Sequence, residues 1–334
     1  MDISGAIQYS ASRLSQETFG LGSLFSIYSL TTTFSIAFTA FLFRHQKRRG
    51  RFKPQVILRA ILSKKIYYRQ SVIADVNLYI LSVILMPAVL GSFVISSHTV
   101  SVIVDGFLSS LFPTHQPIIF AAITIKVFAT IALFLAYEIG YWVDHYLKHK
   151  IPILWSFHKL HHTADTLTPL TNFRNHPLDN VVFGYMLSFF IGGMMGVLLW
   201  LFGDKADFFS VDGKNIIFIV FLWTIGHLQH SEFWIAFTGI WGKIFLSPAH
   251  HQIHHSNDPS HFNRNFGSVL AIWDYLFGTL EMPTEKNPRL KYGVSGAASN
   301  EHSINGMFVA PIIEAFSLSK NYFINAMRSL TIIH

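Results

Sequence analysis

The chain has 334 residues, of which 51% are hydrophobic and 13% charged, with 32 Phe, a formal net charge of +7 and no cysteine. Soluble domains carry roughly a quarter charged residues, so this balance reads as a chain that faces lipid. The missing cysteines exclude a disulfide framework, thiolate-held zinc, haem-thiolate ligation and a cysteine-held iron–sulfur cluster, leaving histidine and carboxylate for strong metal binding.

Residues 22–43 are nearly free of charge and reach the ~20 residues that a helix needs to cross a hydrocarbon core. The residues before Leu21 lack the basic start and small-residue cleavage pattern of a signal peptide, so 22–43 is expected as a retained span. A basic segment follows directly: Arg44, Lys47, Arg48, Arg49, Arg51, Lys53, Arg59, Lys64, Lys65 and Arg69. Such a run beside an apolar stretch reads as cytoplasmic anchoring charge rather than a nucleic-acid patch.

Further apolar stretches cover about 72–97 and 118–149. Residues 179–202 and 215–236 form a pair joined by Gly203-Asp204-Lys205 and Asp212-Gly213-Lys214. Gly192 and Gly196 permit close helix packing, a weak signal by itself. With the basic segment cytoplasmic, the spans alternate so that every histidine cluster falls on the inner side. The more polar stretch after about residue 240 reads as a cap of short helices, partly interfacial. The expected fold is therefore all-α and integral to the membrane, with about four to five transmembrane helices. A cytosolic helical cap carries a histidine-rich di-metal site. The expected divisions are 1–117, membrane spans with the basic loop; 118–285, the histidine-motif domain; and 286–334, a cytosolic or interfacial helical segment.

Thirteen of the 18 histidines lie between His145 and His261. His145 and His149 are four apart, and His227 and His230 three apart. His158, His161 and His162 form a His-x-x-His-His; His250, His251, His254 and His255 form a His-His-x-x-His-His. Residues three or four apart share a helical face, so each cluster can aim two or three imidazoles at one point. Four clusters supply roughly the number of donors that two metals need at about four to five ligands each. Activating O2 against an unactivated C–H bond requires a redox metal with open positions, and two irons can share the electrons. Imidazole suits iron, zinc and copper alike. A site at the edge of an apolar bilayer favours lipid oxidation over hydrolysis.

His145, His149, His158, His161, His162, His230, His251, His254 and His255 are the candidate ligands, with His227 either a ligand or a packing histidine. His250 is expected to point elsewhere and to support the ligands from behind. His176 and His261 are expected to hydrogen-bond or to line a substrate cavity. Glu138, seven before His145, shares its face, and Asp144 adjoins it. A membrane carboxylate is a functional candidate, here for orienting an imidazole through its other nitrogen. The alternative for these two is an ion pair with Lys126 or Lys148.

The string from His158 to Asp179, His-Lys-Leu-His-His followed by Asn-Phe-Arg-Asn-His-Pro-Leu-Asp, resembles the fatty acid hydroxylase/sterol desaturase superfamily. So do Ser247-Pro-Ala-His-His-Gln-Ile-His-His-Ser, Asn263-Arg-Asn-Phe-Gly and Trp273-Asp-Tyr-Leu-Phe-Gly-Thr. The match covers about residues 118–285 and is most similar to the bacterial branch called sterol desaturase family proteins. The resemblance implies a helical membrane fold with a cytosolic cap, a di-iron centre, and O2 as co-substrate with electrons from an external reductase chain. It supports as ligands His145, His149, both His-x-x-His-His motifs and His230. It marks Asn265 as a weak ligand or a support behind the ligands, and His176 as part of a His-Pro motif.

The expected function is a membrane-bound di-iron oxygenase that hydroxylates or desaturates a fatty acyl, sterol-like or ether lipid. It is expected in a bacterial inner membrane, with the metal site on the cytoplasmic side and no nucleic-acid partner. The chain has no nucleotide-binding Gly-x-Gly-x-x-Gly after a strand and no His-Pro-Gly-Gly haem segment. A separate electron-transfer protein or reductase is therefore expected as partner. The alternatives are a non-catalytic metal-binding protein or transporter, and zinc hydrolysis, which wants a His-Glu-x-x-His that is absent here.

Overall fold

The computed structural model describes residues 3–23, 25–49, 68–294 and 301–331. Most of the basic segment expected as a cytoplasmic loop, residues 50–67, lies outside the described residues. Among those described, the chain is mostly helical. The single pair of strands is a hairpin, β1 (Ser210–Val211) and β2 (Lys214–Asn215), turning through Asp212 and Gly213. Both turn residues have positive φ, as a two-residue hairpin loop of this hand requires.

Among the described residues, three stretches are long and apolar enough to cross a membrane: 70–111, 122–150 and 177–205. The first is two helices, α3 (Gln70–Phe93) and α4 (Ser97–Leu111), after α1 (Ile3–Phe19) and α2 (Ile27–Arg49). Ser96 interrupts it, accepting a hydrogen bond from Thr99 N–H as the cap of α4. The second is α5 (Ala122–Lys150), whose 29 residues outreach the ~30 Å hydrocarbon core at 1.5 Å per residue. The third is α7 (Pro177–Phe202), following α6 (Pro152–His162).

α4 lies along α7, and the chain there allows it to come close. A Cβ on Gly196 would meet Val104 Cβ at 2.6 Å and Ser101 O at 2.7 Å, and one on Gly192 would meet Val100 Cβ at 2.7 Å. The weak small-residue signal thus corresponds to a real contact, in which absent side chains let two backbones approach. α5 and α7 share a core of Ile125, Ala129, Leu133, Leu198 and Phe202.

Two expected crossings differ. Residues 215–236 form α8 (Ile216–Thr224), nine residues or about 13 Å of helix, too short to span, followed by a 3-10 turn at Gly226–Leu228. It packs through Ile219, Phe221 and Leu222 on Phe134 of α5 and on Val269 and Leu270. Its apolar run belongs to a protein core, which hydropathy alone does not distinguish from a lipid-facing one. α2, which overlaps the expected span 22–43, is not among the three candidate spans. Its first turn sits at the level of His227, with Ser29 Oγ 3.1 Å from His227 Nε2.

The histidines gather at one end of the spans, and α3 starts at that end. Arg69 Nη1 donates to Thr166 Oγ1 at 2.6 Å. The fully buried Arg174 pairs with Asp75 at 2.7 Å. The remaining helices, α9 (Gly239–Ile244), α10 (Pro248–His254), α11 (Ile272–Phe277) and α12 (Ala310–Thr331), complete the histidine end. α12 packs on α6, tied by Lys159 and Glu314.

Candidate metal centre

Proline sets where two of the histidine-bearing helices begin. Pro152 opens α6 and Pro248 opens α10, each near the first helical position, where a missing N–H costs nothing and the fixed φ suits the helix. α10 is also capped reciprocally: Ser247 accepts from His250 N–H, and His250 Nδ1 receives Ser247 N–H at 3.1 Å. His250 is therefore spent on starting the helix, which leaves His251, His254 and His255 to turn inward.

Nine imidazoles converge in two groups. His145, His149, His158, His162 and His254 form one; His161, His230, His251 and His255 form the other. Within each group, one ligand atom per residue lies within 4.8 Å of all the others. The groups adjoin, since the His162 and His255 rings stack at 4.5 Å. His161 and His162 feed different groups, as do His254 and His255. This explains the doubled His-His motif: a helical step of one residue turns the next ring toward the neighbouring site.

In the five-histidine group, Nε2 of His145, His149, His158, His162 and His254 is buried without a hydrogen-bond partner among the described residues. The opposite nitrogen is held in two of them: His145 Nδ1 lies 2.8 Å from Phe266 O and His254 Nδ1 2.7 Å from Arg264 O. A carbonyl only accepts, so these rings carry their proton on Nδ1 and present an Nε2 lone pair inward. In the four-histidine group, His230 Nε2 stands 3.2, 3.0 and 3.1 Å from Nε2 of His161, His251 and His255. Facing nitrogens so close are a donor set drawn round one point. Five orphaned lone pairs and four converging ones fit two transition-metal ions.

Burial disfavours the charged form of several of the histidines outside the spans. It lowers His161, His162, His251 and His255 well below the usual histidine value, with neighbouring imidazoles adding to the effect. Burial brings His230 and His254 down to about 3 and His250 to about 4. Neutral imidazole is the ligating form.

The other expected site residues fall around this centre. His227 belongs to neither group, its ring contacting Ser29 and, edge-on, Phe25. His176 caps α7, accepting from Leu178 N–H, with its Nε2 3.2 Å from Phe308 O. His261 also lies outside both groups. Glu138 touches no histidine and no lysine: its carboxylate accepts from the backbone N–H groups of Val269 and Leu270. It therefore holds the loop whose Phe266 carbonyl orients His145. Asp144 takes the alternative role, pairing with Lys148 at 2.7 Å. Asn265, at φ 58, donates to His250 O and Glu281 O and accepts from Glu281 N–H. These bonds let Asn265 brace the C-terminal loop beneath α10.

Sequence reasoning did not single out two carboxylates. Asp179 Oδ1 lies 3.5 Å from His158 Nδ1 and 3.1 Å from Lys148 Nζ, so it stands behind a ligand ring. Asp274 accepts from the N–H groups of Phe266 and Gly267, from Trp142 Nε1 and from Thr279 Oγ1. Their signal was available: each sits in a motif string, and each is an acid in an apolar setting. A cavity of about 360 Å³ opens beside the centre, lined by His149, His162, His254 and His255 with Trp155 and Phe262.

Residues 130–279 match the family model described as Fatty acid hydroxylase. The chain is 28% identical over 229 residues to the ornithine lipid hydroxylase OlsE of Rhizobium tropici, covering 68% of this chain and 59% of that protein. It is 26% identical over 153 residues to alkylglycerol monooxygenase of Homo sapiens, covering 46% of this chain and 31% of the other. It is 28% identical over 166 residues to the Delta(7)-sterol 5(6)-desaturase erg3C of Aspergillus fumigatus, covering 45% and 48%. The chain thus spans less than two thirds of the length of these relatives. No solved structure matches it at a significant level. The matched region encloses both histidine groups, so the part of the chain that carries them is similar to the fatty acid hydroxylase family.

Proposed function

We propose that the protein is a membrane-bound di-iron oxygenase that hydroxylates, or desaturates, a lipid with O2 and electrons from a separate protein. The observation that carries this reading is the pair of all-imidazole donor sets, five and four, lying side by side at one end of apolar helices. His145, His149, His158, His162 and His254 would hold one iron; His161, His230, His251 and His255 would hold the other. Bound there, two irons supply redox chemistry able to activate O2 and oxidise a C–H bond.

The chain's own part is positioning. Phe266 O and Arg264 O fix the tautomers of His145 and His254, and Asp179 supports His158. Trp155 and Phe262 give the cavity apolar walls where it meets the five-histidine group, suited to presenting a lipid chain while keeping bulk water out. The relatives' names include ornithine lipid, alkylglycerol and sterol oxidations, which supports a lipid substrate of that breadth. The Arg69 end of the basic segment lies at the histidine end. Basic residues favour the cytoplasmic face, which supports an inner-face site in a bacterial inner membrane. A transporter would keep its ligands near mid-depth on a pathway, whereas these sit together at one end.

The test compares total lipids from cells expressing the protein or its His254→Ala variant, with O2 and with O2 withheld. A lipid gaining one oxygen, or losing two hydrogens, only with intact protein and O2 is the expected result. Unchanged lipids together with purified protein lacking two equivalents of iron would refute the reading.

A further inference from the structure

The lipid-facing surface does not stop where the long helices meet the histidine end. Exposed residues on α5 include Phe128, Ile131 and Leu135. Trp142, seven beyond Leu135, continues that helical face. There the stripe is roofed: Phe277 of α11 stacks on Trp142 at 4.6 Å. The roof is itself apolar and bare. Ile240 and Trp241 of α9 are 64% and 63% exposed, and Leu276 and Phe277 of α11 are 62% and 57% exposed. Backbone pairing of Leu246 with Val269 and of Ala271 with Ile244 binds the two short helices into one shoulder. Lys243 Nζ of α9 lies 4.9 Å from the centre of the Tyr275 ring of α11, a cation–π contact that ties the two helices further.

Depth decides what covers this shoulder. Lys126, in an exposed ion pair with Asp207 near the start of α5, suits the opposite boundary of the apolar layer. About 24 Å of helix separates Lys126 from Trp142 at 1.5 Å per residue, less than the ~30 Å hydrocarbon thickness. Any tilt of α5 shortens that depth further. The contact of Phe277 with Trp142 therefore falls inside the apolar layer.

We propose that the α9–α11 shoulder is embedded in the membrane, its Ile240, Trp241, Leu276 and Phe277 side chains covered by acyl chains of the leaflet that carries the metal centre. The shoulder enters without crossing, since each helix has six residues. It anchors the loop from Phe266 to Ala271, and with it the carbonyl that orients His145, at a fixed depth.

The absence of native cysteine makes the test direct. Nitroxide labels are placed singly at Leu276→Cys and Trp241→Cys in the full chain, reconstituted into phosphatidylcholine vesicles containing phosphatidylglycerol. Ile131→Cys serves as the lipid reference and Ser260→Cys as the aqueous one. Collision with molecular oxygen is compared with collision with a water-soluble nickel chelate. Both shoulder labels should give an oxygen-to-nickel ratio close to that at position 131 and several-fold above that at 260. A ratio like that at 260 means water covers the shoulder and overturns the proposal. Exclusion of both reagents means that protein covers it, a second copy or another chain, and overturns it equally. Two independent positions guard against one label disturbing the fold.

Discussion

The two histidine groups are built differently although α6 and α10 feed both. The five-histidine group has backbone carbonyls behind two of its rings and borders the cavity with three of its members. The four-histidine group gives only His255 to the cavity lining, and Nδ1 of its His161, His230 and His251 has no partner among the described residues. One group is braced and open, the other closed and held mainly by its own rings. The cavity is thus open mainly to the first group.

The largest expected effect comes from removing the ring that joins the closed group. His230 is its single member from outside the two His-x-x-His-His motifs and touches the other three. His230→Ala should leave the five-histidine group loaded while iron falls from two equivalents toward one. Product formation should drop by more than the ~10–100-fold typical of losing a residue behind a ligand. Iron analysis beside product measurement checks both. If both irons are lost, the two groups form one cooperative unit and the contrast fails.

Next in size is Asp179→Asn, which keeps the shape but weakens the support of His158 and leaves Lys148 one counter-charge fewer. A ~10–100-fold loss of iron affinity confined to the five-histidine group is expected. Chelator challenge should show one faster and one unchanged phase. In the unmodified protein, the iron bordering the cavity should already leave first.

Much of this centre was legible because repeated imidazoles at three- and four-residue spacing have few roles besides metal ligation in an apolar chain. The nine rings were readable as a set, but their division into five and four was not. That division depends on which way successive rings of α6 and α10 turn after packing. Glu138 shows the same limit: helical periodicity placed it on the face of His145, yet its carboxyl group is engaged by the backbone of Val269 and Leu270. Hydropathy found the three long apolar stretches and misjudged 215–236. An apolar run packed on Phe134 and Leu270 reads in sequence like one packed on lipid.

Acid should separate metal-free from loaded protein by a smaller margin. Burial lowers His230 and His254 from the ordinary histidine value of 6.5 to about 3. Between those values the unfolded chain binds protons that the folded chain refuses. Stability of the metal-free protein is therefore full above about pH 6.5 and declines as pH falls toward 3. Its melting temperature should drop steadily across that window, and bound iron should delay the drop by mass action. A flat profile would mean that these rings are already hydrated.

The smallest effect on chemistry should come from the far half of the spans, where no residue of either group lies. Gly196→Val would place a Cβ 2.6 Å from Val104 and 2.7 Å from Ser101 O, so α4 and α7 must separate. Overpacking of this kind costs about 1–3 kcal/mol. The thermal midpoint should fall while iron content stays at two and turnover per folded molecule stays near that of the parent. The histidine end is held independently of that contact by the Asp75–Arg174 pair and by the α5 and α6 packing around it. Loss of iron in this variant would show instead that α7 transmits strain through Asp179 to His158, coupling the far half of the membrane domain to the open group.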